Sequence, residues 1–107
     1  MHGRREIQSL ELHRRIVGRM GEDAAAVIQK ARGNLHRWLS MRPDDGLSAT
    51  WREWELLLRE MTPGELGAFL VSDSPRAVRL RQSSPFAGVL PARDVWEIKK
   101  TLSRATP

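Results

Sequence analysis

Apolar residues recur every three or four positions through most of this 107-residue chain, the period of an α-helix. From Glu6 to Met20, the residues Ile7, Leu10, Ile16, Val17 and Met20 fall on one stripe, with Arg14, Arg15 and Arg19 outside it. Gly18 weakens this helix and Gly21 is the predicted stop. A second helix over 22–40 carries the clearest pattern, with Ala24, Val27, Ile28, Ala31, Leu35, Trp38 and Leu39 at i, i+3, i+4, i+7 spacing. Pro43, Asp44, Asp45 and Gly46 then signal a loop. A third helix is predicted from Thr50, with Glu53 at capping-box spacing. Trp51, Trp54, Leu57, Leu58 and Met61 form its dense apolar face.

Two short helices follow, each opened by a hydroxyl residue and a proline. Thr62-Pro63, with Glu65 three residues after the cap, starts one whose apolar face is Leu66, Phe69 and Leu70. Ser74-Pro75 starts another over roughly 75–83. Pro85 and Gly88 prevent its continuation. A last helix from Pro91 carries Val95, Trp96, Ile98 and Leu102. Phe86 to Pro91, "FAGVLP", is the only β-like run. The pattern predicts an all-α protein: a single compact bundle of about five to six helices spanning residues 6–102. Residues 1–5 and 103–107 are expected to be flexible ends.

Composition narrows the chemistry. There is no cysteine, so no disulfide framework and no thiol chemistry, which fits a cytoplasmic setting. No apolar run approaches the roughly 20 residues of a membrane span, so no membrane association is expected. The first residues lack the apolar segment of a secretory signal. His2, His13 and His36 have no zinc-type spacing and read as surface or boundary residues. No G-x-S-x-G elbow, phosphate loop or dinucleotide fingerprint is present. The expectation is a non-catalytic protein without cofactor or metal.

Charge is unevenly spread. The formal net charge is +5, and arginine outnumbers lysine fifteen to three. Residues 1–40 carry net +4, residues 41–73 net −4 and residues 74–107 net +5. The acidic middle can neutralise the ends within the fold, leaving the third block in excess. Such a protein suits an acidic protein partner or nucleic acid. For nucleic acid, the basic helix would offer Lys30, Arg32, Asn34, His36 and Arg37 between its apolar anchors, in the manner of a DNA-binding regulator. A polar helix face is more often simply solvated. Trp51 and Trp54, flanked by Glu53 and Glu55, read as core rather than as stacking platforms.

The stretch "RLRQSSPFAGVL", Arg79 to Leu90, does not separate into apolar and basic faces, as a plain surface helix should. Two readings remain open. In one, Arg76, Arg79, Arg81, Gln82 and Ser83 face a partner with Phe86 as apolar anchor, since arginine and aromatic residues are frequent hot spots. In the other, the arginines pair with the acidic middle block while Phe86, Val89 and Leu90 fill the core.

With "ELHRRIV" near the start and "WREWELLL" in the middle, this stretch resembles a group of small bacterial proteins sharing an R-x-R-Q-S-S-P-F-A-G-V-L-like motif. The resemblance spans most of residues 10–98, and the last motif is its most specific part. In that group an acidic–Arg pair opens the following helix; here Arg93 and Asp94 stand in the reverse order. The resemblance implies an antitoxin-like member of a toxin–antitoxin gene pair, which binds and neutralises a toxin encoded nearby. It carries the partner contact onto Arg79, Arg81, Gln82, Ser83, Ser84, Pro85 and Phe86. Arg76 joins this set from its chemistry.

Overall fold

One long helix is the spine against which every other element packs. In the computed structural model, residues 3–105 are described, with side chains through residue 101. The elements are α1 (Arg4–Met41), α2 (Ser48–Glu60), α3 (Pro63–Leu70), α4 (Pro75–Arg81) and α5 (Ala92–Ala105). The protein is an all-α bundle of five helices, and no strand occurs among the described residues. Met1, His2, Thr106 and Pro107, parts of the expected flexible ends, lie outside the described residues. α1 contacts each of the other four helices, and α3 also contacts α4.

The two helices predicted over 6–20 and 22–40 are the two segments of α1. They meet at Asp23, whose backbone is non-helical (φ −155°, ψ 83°). Asp23 Oδ1 accepts the Ala26 N–H at 3.1 Å, so its carboxylate caps the second segment. The first segment therefore runs past Gly21, the predicted stop. It also begins at Arg4 rather than Glu6.

α2 starts at Ser48, two residues ahead of the Thr50 predicted from capping-box spacing. Asp45, in the preceding loop, accepts the Leu47 N–H at 2.8 Å, so the loop acid organises this entry. α3 has the predicted box in full: Glu65 N–H donates to Thr62 Oγ1 at 3.1 Å, and Thr62 N–H donates to Glu65 Oε1 at 2.9 Å. Ser74 caps α4 through the Ala77 N–H at 3.2 Å. α4 ends at Arg81, short of the predicted 83.

The core lies between both segments of α1, α2, α3, α4 and the turn that follows α4. Ala31, Leu35, Trp54, Leu66, Leu70 and Leu80 are essentially inaccessible. Trp54 is its centre. It meets Phe69 and Phe86 edge-on at ring-centroid separations of 6.1 and 5.9 Å, and its indole N–H donates to Leu80 O at 3.2 Å. Edge-to-face pairs add about 0.5–1.5 kcal/mol each beyond area burial.

Two apolar residues predicted to face inward, Ile7 and Trp96, are exposed. Ile7 is 43 % exposed, while its neighbour Glu6 and His13 take the buried positions of the first segment. The true inward stripe is Glu6, His13, Ile16 and Met20. Trp96 is 60 % exposed on α5, with Lys100 Nζ 4.6 Å from its ring centroid. α5 instead turns Ile98 and Val95 inward.

Candidate functional site

The Arg79–Leu90 stretch divides between interior and surface. α4 is short, and its helical spacing places Ala77, Leu80 and Arg81 inward. Arg76, Arg79 and Gln82, three residues apart, form an exposed row. Arg76 Nε donates to Glu53 Oε2 at 2.8 Å, and Arg79 Nη2 donates to both Glu53 oxygens at 3.0 and 3.2 Å. The guanidiniums of Arg79 and Arg76 hold the Glu53 carboxyl below its ordinary range. Two cations share one carboxylate, so the row keeps a positive surplus.

Arg81 goes the other way. Its side chain is 1 % exposed. Nη2 donates to Glu6 Oε1 at 2.5 Å, while Nη1 donates to Ser72 O at 2.6 Å and to Leu70 O at 3.3 Å. Gln82 Nε2 completes the cluster by donating to the other Glu6 oxygen at 2.7 Å. A buried charge pair of this kind is tolerated because almost every polar atom is matched. Within it, Arg81 Nε has no hydrogen-bond partner.

The turn after α4 is fastened to α1 at two further points. His13 Nδ1 lies 2.7 Å from Ser9 O, and because a carbonyl only accepts, Nδ1 carries the proton. Nε2 therefore accepts from the Ser84 hydroxyl at 2.9 Å, and Ser84 Oγ in turn accepts the Phe86 N–H at 3.3 Å. Burial lowers the His13 imidazole to about 4, against the partial opposition of the Ser9 hydrogen bond. A serine beside a histidine has the outline of a nucleophile and base, but a base this weak takes up a proton poorly near neutrality. Asn34 is the second clamp: its Nδ2 donates to Pro85 O at 2.8 Å and Ala87 O at 2.9 Å, and its Oδ1 accepts from Arg37 at 2.7 Å. Gly88 turns the chain with φ +84°, and a Cβ there would stand 3.0 Å from Lys30 Cε.

The eight predicted partner-contact residues are therefore not one surface. Phe86 is 3 % exposed against Trp54 and His13, and Pro85 is fully buried. Neither presents an anchor to solvent, and Arg81 is spent on Glu6. Phe86 and Leu90 are core, with Val89 packed on it, as the second reading of this stretch had it. Arg76, Arg79 and Gln82 are exposed, and Ser83 and Ser84 are half-buried.

Beside Gln82, Ser83 and Ser84 opens a groove of about 260 Å³ whose far wall is Trp38, Arg42, Leu47 and Trp51. The two indoles are 5.7 Å apart and tilted by 44°. Leu47 is 45 % exposed there. The sequence reading missed Trp38, Arg42 and Leu47 as site residues. Trp38 was legible only as a core position on its helix, and no periodic signal marks a loop residue such as Leu47.

The basic-helix set also divides. Asn34 is 2 % exposed and engaged with the turn, so it is not free to read a base edge. Lys30 and Arg37 lie on one side of α1 with Gly33. Arg32 and His36 lie on the other, facing α2, where they border a depression with Arg52, Arg59 and the exposed Leu56. Arg32 Nη2 donates to Leu58 O at 2.9 Å. Among the described residues, no group of three His, Asp or Glu side chains could hold a metal, and no helix is long and apolar enough to cross a membrane.

No family model, curated protein or solved structure matches this chain.

Proposed function

We propose that this chain is a small binding protein of the antitoxin type, which neutralises a partner protein by contact along the α4 row and the adjoining tryptophan groove. One observation carries the reading. Arg76, Arg79 and Gln82 stand in a row whose underside is fixed by the buried Arg81–Glu6 pair and the Asn34 clamp. A surface held in one geometry loses little entropy on binding. Arginine and tryptophan are the side chains most often found at binding hot spots. The positive surplus of the row suits a partner presenting carboxylates, and the resemblance of the Arg79–Leu90 stretch points the same way. A stable interface buries about 1,600 Å² in total, so neighbouring residues such as Arg42 and Leu47 contribute too.

The test is co-purification from the native host after nuclease treatment, with wild type beside an Arg76→Glu, Arg79→Glu double variant. The expected result is one stoichiometric partner held by the wild type and lost by the variant, with the variant's urea midpoint retained. Growth arrest caused by that partner is expected to be relieved by wild type and not by the variant. A partner retained by the variant would move the contact elsewhere.

A nucleic-acid reading keeps one supporting observation, the three arginines Arg32, Arg52 and Arg59, with His36 and one acid, Glu55, around one depression between α1 and α2. With three arginines on phosphates, that reading requires affinity to fall roughly 40-fold between 50 and 200 mM salt. Absence of binding to the gene's own upstream DNA at low salt would remove it.

A further inference from the structure

An open cavity beside the Arg81 cluster is not used by the proposed partner contact. A cavity of about 480 Å³ lies between the first segment of α1, the turn after α4, and α5. Its volume falls within the roughly 300–1,000 Å³ of ordinary small-molecule sites. Leu12, Ile16, Phe86, Leu90 and Val95 give it an apolar wall. The charged residues of its lining have one sign: Arg5 and Lys99, with Arg81 already paired to Glu6, border it, and no Asp or Glu does.

Arg5 and Lys99 are exposed, so they stand at the rim, and neither forms an ion pair among the described residues. Deeper in the wall is Arg81, 1 % exposed, whose Nε is the one buried side-chain nitrogen or oxygen without a hydrogen-bond partner among the described residues. Arg81 is already paired with Glu6, and its near-zero exposure keeps Nε behind the cavity wall, so the free charge of the cavity belongs to Arg5 and Lys99. Low-dielectric walls also concentrate the field of the two rim cations on whatever enters.

We infer that this cavity binds a small carboxylate with a compact apolar body, the acid group set at the rim with Arg5 and Lys99 and the body against Leu12, Ile16 and Val95. Such a ligand satisfies both halves of the lining, whereas a neutral apolar molecule leaves the cations unmatched. A polyanion would lack contact with the apolar wall. The inference does not depend on the partner reading, which concerns the α4 row and the groove on the far side of Gln82 and Ser84.

Octanoate and 1-octanol, matched in chain length and differing in charge, are the probes, titrated into ¹⁵N-labelled full-length protein. Saturable amide shifts at Leu12, Ala87 and Val95 are expected with octanoate, while the indole signals of Trp38 and Trp51 stay in place. Octanol is expected to bind at least about tenfold more weakly, the loss that follows from removing a charge-assisted hydrogen bond. An Arg5→Glu, Lys99→Glu double variant changes only exposed rim positions and is expected to weaken octanoate by a similar factor. No saturable octanoate shift, equal affinity for octanol, undiminished binding by the double variant, or shifts centred on the tryptophan groove would each overturn the inference.

Discussion

Two regions of this molecule are built on different physics. Around Trp54 α2 and α3 meet both segments of α1 through apolar side chains whose attraction has no direction. Around Arg81 the first segment of α1, α4 and the following turn meet through charges and hydrogen bonds that each need a named partner, Glu6, Gln82, His13 and Ser84, and Asn34 of the second segment clamps the same turn. The first region gets its strength from area and fit. In the second, strength is conditional, because every buried polar group is costly until it is matched. That condition also makes the second region specific: it fixes one orientation of α4, and with it the exposed Arg76–Arg79–Gln82 row.

The sharpest way to break the comparison is to remove one partner from each region and then try to rescue it. Arg81→Met strands the Glu6 carboxylate and is expected to cost about 3–5 kcal/mol. Adding Glu6→Leu should recover a large part of that loss in urea denaturation, because no buried charge is then left alone. Trp54→Ala is expected to cost a similar amount, about 3–5 kcal/mol, and no second substitution at Phe69 or Phe86 should restore it. Equal rescue in the two regions would erase the distinction.

Acid distinguishes them next. The His13 pKa is lowered from 6.5 to about 4, so the unfolded chain takes up the proton first. His13's contribution is therefore complete above pH 6.5, declines as pH falls from 6.5 towards 4, and is gone below that, a loss of about 3 kcal/mol. The slope should be absent in His13→Gln, measured as stability against pH. Glu53, also lowered, loses its smaller contribution only in the more acid range below its ordinary 4.5.

Smaller effects sharpen the picture. Asn34→Ala leaves the Pro85 and Ala87 carbonyls without a donor and is expected to cost about 1–3 kcal/mol. Glu53→Gln, on α2 beneath the exposed arginines of α4, should cost no more than about 1 kcal/mol and less at high salt.

The apolar region was legible in the sequence because its signal is periodic. Val27, Ala31 and Leu35 repeat with the helix, and Trp51, Trp54 and Leu58 do the same. The α3 and α4 starts were legible because a cap and a proline are local chemistry. The polar junction was not. Glu6 and Arg81 are 75 residues apart, and no periodicity says that a carboxylate near the start meets a guanidinium near the end. Ile7 and Glu6 differ by one position, and hydropathy alone chooses Ile7 for the core. Arg81 reverses that choice by supplying the charge that lets Glu6 turn inward. The candidate site was half legible for the same reason. Arg76, Arg79, Arg81 and Phe86 look alike as interface chemistry, and only the long-range partners separate the exposed pair from the buried one.

That separation is the central claim, and the urea midpoints of Arg79→Glu and Arg81→Glu, measured side by side, test it most directly. Arg79→Glu is expected to stay within about 1 kcal/mol of wild type, because its partner Glu53 sits in screened solvent contact. Arg81→Glu, which sets a second carboxylate against buried Glu6, is expected to leave no cooperative folded state. Two similar midpoints would contradict the division of this stretch into a structural half and a binding half.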